Sequence, residues 1–207
     1  MMGMRAKEQA PGKDSRALIL QVALALFTQN GYEGTSIDDI RQAAGFRSKA
    51  SLYTHFKSKE EVANALLDSI LSQEEEVVIK AYEAAEPEPL YRFLAMGRAF
   101  IEWGLTHKQE YAFCFLRVQQ ELLMRGQQES EQLQHSPGIL LGLLAQMRSH
   151  YPVRAIADTA LLSMMIGLIS RAVIDQNSFG QIALREKVDQ IIEMCMGVLF
   201  TEQVPVP

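Results

Sequence analysis

Between Ser48 and His55 the chain reads Ser-Lys-Ala-Ser-Leu-Tyr-Thr-His, and Ser48, Lys49, Ser51, Tyr53, Thr54 and His55 bring hydroxyls, an ammonium and an imidazole into eight residues. Groups of this kind bind phosphate oxygens and base edges. Coiled as a helix, the stretch turns Leu52 and then Phe56 inward and leaves Lys49, Ser51, Tyr53, Thr54 and His55 available. The surrounding charge points the same way. Arg41 to Lys59 contains Arg41, Arg47, Lys49, Lys57 and Lys59 and no acid, a local charge of +5 in nineteen residues. Such a surface attracts a polyanion.

Other chemistries find less support. Cys114 and Cys195 are the only cysteines and lack C-x-x-C or C-x-x-H spacing, so neither a disulfide scaffold nor a zinc site is expected. Both sit among apolar neighbours and read as core thiols in a reducing cytosol. His107, His135 and His150 show no metal spacing such as H-x-x-x-H, and there is no G-x-S-x-G or phosphate loop. No metal, cofactor or catalytic residue is expected. An all-helical enzyme and a protein-binding adaptor are the alternative readings. No signal-peptide core precedes Pro11, and Thr159–Ser170, the longest charge-free stretch of the apolar C-terminal part, falls well short of the ~20 residues of a membrane span. The expected location is the cytoplasm.

The elements that must hold this segment are helical. Apolar residues recur at three- and four-residue spacing, without sustained alternation. The polar stretch 1–13 reads as a disordered tail, whose Arg5, Lys7 and Lys13 are minor-groove candidates. Ile19, Val22, Ala23, Leu26 and Phe27 share one face of a helix over 14–30 that stops at Gly31. Ser36 with Asp39 caps a short helix to Ala44, Gly45 breaks it, and a second short helix covers 48–55. Ser58 with Glu61 starts a long helix to about Ala85. Two short helices joined by a tight glycine-containing turn behind a longer one fit a helix-turn-helix. One of the pair must enter a major groove about 12 Å wide while its neighbour props it. Pro87 and Pro89 close this part. Further helices are predicted over 90–106, 108–125, from Ser136 to near Tyr151, over 153–175 and over 181–200, with Gly126–His135 as a connector. The 108–125 helix, apolar nearly all round between Tyr111 and Val118, is expected to be central.

Phe27-Thr-Gln-Asn-Gly31-Tyr32-Glu-Gly34-Thr35-Ser36-Ile37, Ile40, Ala43-Ala44-Gly45, Ser48-Lys49 and Leu52-Tyr53-Thr-His55-Phe56-Lys57-Ser58-Lys59-Glu60 together resemble the N-terminal domain of the TetR family of bacterial transcriptional regulators over about residues 15–65. The resemblance implies an all-α fold with an N-terminal three-helix DNA-binding domain (14–60) and a larger helical effector-binding and dimerisation domain (61–207). It also implies a homodimer on a palindromic operator, a repressor released or modulated by a small apolar or amphipathic effector. Thr35, Tyr53, His55 and Lys59 take phosphate roles by this likeness, and Ser48, Lys49 and Ser51 lie on the DNA-facing side, Lys49 and Ser51 at base edges. One departure stands out. The family places the tyrosine seventh after the glycine, whereas Tyr53 is eighth after Gly45. The extra residue falls in Phe46-Arg47, and it brings Arg47 toward DNA from an unusual position.

The larger domain carries two further patterns. Ala160, Ser163, Gly167 and Ser170 form a stripe of small residues, and Gln190, Met194 and Gly197 do likewise on the last helix. Small residues let backbones approach closely, as a four-helix dimer interface requires. Leu184, Val188, Ile191, Cys195 and Val198 are the matching core stripe. The middle helices are rich in Phe, Met and Leu, and Phe100, Trp103, Cys114, Arg117, Met147 and Met164 are the candidate lining of the effector cavity that the family resemblance implies.

Overall fold

The computed structural model describes residues 11–115 and 136–204, with side chains from Ser15 and, after the gap, from Pro137. In chain order the helices are α1 (Pro11–Asn30), α2 (Ile37–Ala43), α3 (Lys49–Tyr53), α4 (Lys59–Ala84), α5 (Pro89–Thr106), α6 (described over 108–115), α7 (Ser136–Met147), α8 (Asp158–Ile174) and α9 (Leu184–Leu199), with a 3-10 turn at Gln176–Phe179. The only other regular pairing among the described residues is an isolated antiparallel bridge between Val153 and Phe200. The fold is all-α. The chain divides into two compact units after Ser69, inside α4.

The first unit is a small core. Ile19, Ala23 and Phe27 of α1 are buried with Ile40, Leu52 and Phe56, and α4 adds Val62, Ala63, Leu66 and Leu67. Helix α1 starts at Pro11, three residues before the expected start, so residues 11–13 do not belong to the polar tail; proline's fixed φ suits the first helical turn. The remainder of that tail, with Arg5 and Lys7, lies outside the described residues.

In the second unit α5 packs against α7, α8 and α9. It begins on Pro89 behind Glu88, whose carboxylate accepts from the Tyr91 N–H at 2.9 Å. Leu90, Met96 and Ile101 of α5 are fully buried; of the 108–125 helix expected to be central, residues 116–125 lie outside the described residues. In α6, Tyr111 and Phe113 are buried while Cys114 and Phe115 keep part of their surface.

Helix α7 stops at Met147 and α8 starts only at Asp158. The residues between, expected to be mostly helical, are instead clamped by two arginines. Arg148 donates to the Arg154 and Ile156 carbonyls at 3.0 and 2.5 Å and through Nε to the Asp158 carboxylate at 2.9 Å. Arg154 donates to the Gly197 and Val198 carbonyls, both at 3.0 Å, and so caps the C-terminus of α9, where a cation is favoured. Val188, Ile191, Ile192, Cys195, Met196 and Leu199 are the buried face of α9. Leu184, expected in that stripe, is exposed because it is the first residue of the helix, and Val198 is half-buried.

Candidate nucleic-acid interface and effector cavity

In the first unit, α1 ends through Gly31, whose φ of +76° favours glycine. Thr35 locks the turn that follows. It is 1% exposed, and its hydroxyl faces the Gly31 carbonyl at 2.9 Å and the Leu26 carbonyl at 3.3 Å. The side chain expected on a phosphate is thus an internal brace. Lys59 behaves similarly. Its side chain is 23% exposed, its Nζ donates to the Tyr32 carbonyl at 2.8 Å, and it lies 4.1 Å from the Tyr32 ring centroid. Its charge is held by an aromatic face and a carbonyl.

Ser36 caps α2 with a complete capping box: its Oγ accepts from the Asp39 N–H at 3.1 Å, and Asp39 accepts from the Ser36 N–H at 2.8 Å. The end of α2 accommodates the extra residue. Ala44 is the C-cap, Gly45 follows at φ +77°, the Gly45 N–H bonds the Gln42 carbonyl and the Phe46 N–H bonds the Arg41 carbonyl. This is a Schellman closure, with glycine at the left-handed position. Arg41 completes it. Its Nη1 donates to the Phe46 carbonyl at 2.5 Å, and its Nε to Asp38 Oδ1 at 2.8 Å. Hydrogen bonds from Arg41 and then Gln42 hold the Asp38 carboxyl down at about 2. Arg41 thus secures the turn, and the outward positive charge of the segment narrows to Arg47, Lys49 and Lys57, all exposed.

Ser48 is the N-cap of α3, accepting from the Ser51 N–H at 3.2 Å and sharing a 2.8 Å hydrogen bond with the Ser51 hydroxyl. The helix is shorter than the expected 48–55: Thr54 is its C-cap and His55 lies in the turn beyond. The Thr54 and Phe56 N–H groups bond the Ala50 and Leu52 carbonyls. Arg16, which the sequence did not single out, donates to the His55 carbonyl at 3.2 Å and lies 4.1 Å over the Phe56 ring. The His55 ring is half-buried, 5.9 Å from the Phe46 ring. Leu52 and Phe56 anchor the inner side. Lys49 has a 71% exposed side chain, with Asp38 at 3.9 Å, and Tyr53 is 46% exposed. Arg47, Lys49 and Tyr53 thus stand on the open side of a braced helix; Ser48 and Ser51 share that segment with their hydroxyls paired to each other.

The second unit holds a cavity of about 310 Å³. Phe100, Trp103 and Cys114, all expected there, line it, together with Tyr111, Ser170 and, from α4, Glu74. The Phe100 and Trp103 rings lie 5.7 and 6.5 Å from the Tyr111 ring. Tyr111 and Ser170 share a 2.8 Å hydrogen bond. Two expected methionines are elsewhere: Met147 is buried away from the cavity, and Met164 is 63% exposed. The next residue, Met165, lines the cavity instead, because one helical step of about 100° separates the two sides of α8. Arg117 lies outside the described residues. Burial pushes the Cys114 thiol up to about 12, with Glu74 and Glu110 adding to it, so it is a neutral wall group. Burial also raises the Glu74 carboxyl to about 7, with Glu75 adding to it.

On the outer side of α8 and α9, Ala160, Ser163, Gly167, Gln190, Met194 and Gly197 are exposed. Ser170 is not: it is 1% exposed and bonded to Tyr111, so it belongs to the cavity wall and leaves the expected dimer stripe. Met164, Ile174 and Met194 add apolar side chains to this side. A Cβ added at Gly167 or Gly197 would meet nothing within 4 Å.

Residues 19–66 match the family model "Bacterial regulatory proteins, tetR family". The chain is 29% identical to the HTH-type transcriptional regulator TtgR of Pseudomonas putida over 93% of this chain and 96% of that protein. It is 35% identical to the uncharacterized HTH-type transcriptional regulator YhgD of Bacillus subtilis (strain 168) over 46% of this chain, a match spanning about half, 49%, of that relative. The crystal structure of AibR in complex with isovaleryl coenzyme A and operator DNA superposes with a TM-score of 0.72 at 20% identity, over 87% of this chain and 97% of that one. At that identity the likeness shows a shared fold.

Proposed function

From a chain that belongs to the TetR family of bacterial regulatory proteins, we propose a transcriptional repressor that binds a palindromic operator as a homodimer and is released or modulated by a small molecule in the cavity of the second unit. The observation that carries the DNA reading is the braced segment 44–56. Its backbone is closed by Gly45, Arg41 and Ser48, its inner side is anchored by Leu52 and Phe56, and Arg47, Lys49 and Tyr53 remain on its open side. In this reading Lys49 and Ser51 meet base edges, Tyr53, His55 and the outward Arg47 meet phosphates, and Thr35 and Lys59 hold the segment in place. Ser48 stays with the segment as its cap.

The outer side of α8 and α9 supports the dimer. It combines exposed apolar side chains with glycines that allow close backbone approach, as two-fold helix packing needs. A dimer would present two copies of α3 to half-sites about one duplex turn, 34–36 Å, apart. Helix α4 contributes Lys59 to the first unit and Glu74 to the cavity wall. A ligand that prefers one dimer arrangement by ~1–3 kcal/mol would change operator affinity about 5–150-fold.

Gel-shift titration of duplex fragments flanking the gene tests the reading. Binding should be sequence-selective and weaken with salt, and Lys49→Ala and Tyr53→Ala should each weaken it. Variants that bind as well as the unaltered protein would show that α3 is not the reading helix.

A further inference from the structure

The lining of the cavity selects a charge class of ligand, which deepens the effector reading above and rests on it. Among the described lining residues there is no Lys, Arg or His, and the ionisable groups besides the Tyr111 hydroxyl and the Cys114 and Cys195 thiols are Glu74 and Glu75. Tyr111 and Ser170 satisfy each other at 2.8 Å. Both lining thiols are held neutral by burial, at about 12. Glu74 differs from all of these: it has no hydrogen-bond or ion-pair partner among the described residues, and its charge bears on both Tyr111 and Cys114 across the cavity wall. It is a carboxyl in the wall of an aromatic cavity with no cationic side chain among the described lining residues. A half-buried carboxyl in apolar surroundings is costly as an anion unless a cation reaches it. The Phe100, Trp103 and Tyr111 rings line the same cavity, and the negative faces of aromatic rings also favour a cation. An anionic ligand would meet like charge from Glu74, in surroundings that screen it poorly.

We infer that the cavity takes an amphipathic organic cation, an apolar or aromatic body carrying one ammonium group, with Glu74 as its counter-charge. At about 310 Å³ the space suits the small end of drug-sized ligands. Binding would draw the Glu74 proton off, so neutral pH is where ligand and proton compete most directly. Among the described residues, the other titratable groups that act on this wall are Glu75 on the same helix and Tyr111, Cys114 and Glu110 on α6; tyrosine and thiol stay protonated there.

Trp103 is the only tryptophan and lines the cavity, so its fluorescence in the full-length protein reports occupancy. Three probes of similar reach separate the possibilities: phenylbutyltrimethylammonium, its uncharged isostere ending in a tert-butyl group, and phenylvalerate. The unaltered protein should bind the cation at least about tenfold more tightly than the isostere, with the anion weakest. Glu74→Gln should weaken the cation at least about tenfold and keep the isostere within about threefold, which also shows that the variant folds. Equal affinity for cation and isostere, or a Gln variant that keeps its preference for the cation, would overturn the charge assignment while the cavity stood as a ligand site. If neither cation nor isostere perturbs Trp103, the effector reading falls with it.

Discussion

Glu74→Gln should also change the pH dependence of stability, without any ligand. The Glu74 carboxyl is raised from 4.5 to about 7, chiefly by burial and secondarily by Glu75. Below pH 4.5 it is protonated folded or unfolded and contributes nothing. Between 4.5 and 7 the unfolded chain ionises while the folded chain keeps the proton, so folding stability falls by about 1.4 kcal/mol per pH unit. Above about 7 the penalty levels off at an order of 3 kcal/mol. Glutamine preserves shape and removes the titration. Urea unfolding of both proteins at about pH 5 and about pH 8, at one fixed protein concentration because the proposed dimer would unfold by mass action, isolates the effect. The variant should gain roughly 2–3 kcal/mol on the unaltered protein between the two pH values. Groups common to both proteins cancel in that double difference. A double difference below about 0.5 kcal/mol would mean that the carboxyl is solvated in the folded chain, and the burial argument would fail.

Three further outcomes follow from the geometry. Gly45→Ala places a side chain at φ +77° and should cost about 1–2 kcal/mol, seen as a lower Tm together with weaker operator binding in gel shifts. Tyr111→Phe leaves the Ser170 hydroxyl buried without its 2.8 Å partner and should cost about 1–3 kcal/mol in urea unfolding; adding Ser170→Ala should recover part of that. Arg47→Ala should lower the slope of log affinity against log salt by about one if Arg47 meets a phosphate, measured by fluorescence anisotropy on a fixed duplex. An unchanged slope would remove Arg47 from the interface.

Local signals in the chain were legible where they act locally. Ser36 with Asp39 and Ser58 with Glu61 satisfy backbone N–H groups within one turn, and the helices begin where such pairs stand. The extra residue after Gly45 was visible by counting, but its accommodation was not, because Arg41 reaches forward to the Phe46 carbonyl from within the preceding helix. Thr35 and Lys59 look like surface residues by type; only the folded chain brings the Leu26 carbonyl to one and the Tyr32 ring to the other. Distance explains the loop between α7 and α8 too. Arg154 bonds carbonyls more than forty residues later, and local periodicity contains no trace of that. In the cavity wall, composition marked an aromatic and methionine-rich region, but choosing Met165 over Met164 requires the phase of α8. Glu74 was overlooked because it sits in a run of acids that reads as a solvated face.

The Arg41 clip bears on redesign. Exchanging only the solvent-facing positions of a reading helix between relatives assumes that each helix is presented on the same mount. Here the mount includes a guanidinium on the preceding helix, tethered to Asp38 and gripping the Phe46 carbonyl. A graft of residues 46–55 alone would leave Arg41 and Asp38 behind, and with them the grip on the Phe46 carbonyl. A specificity transplant from this chain should therefore carry residues 38–56 as one cassette.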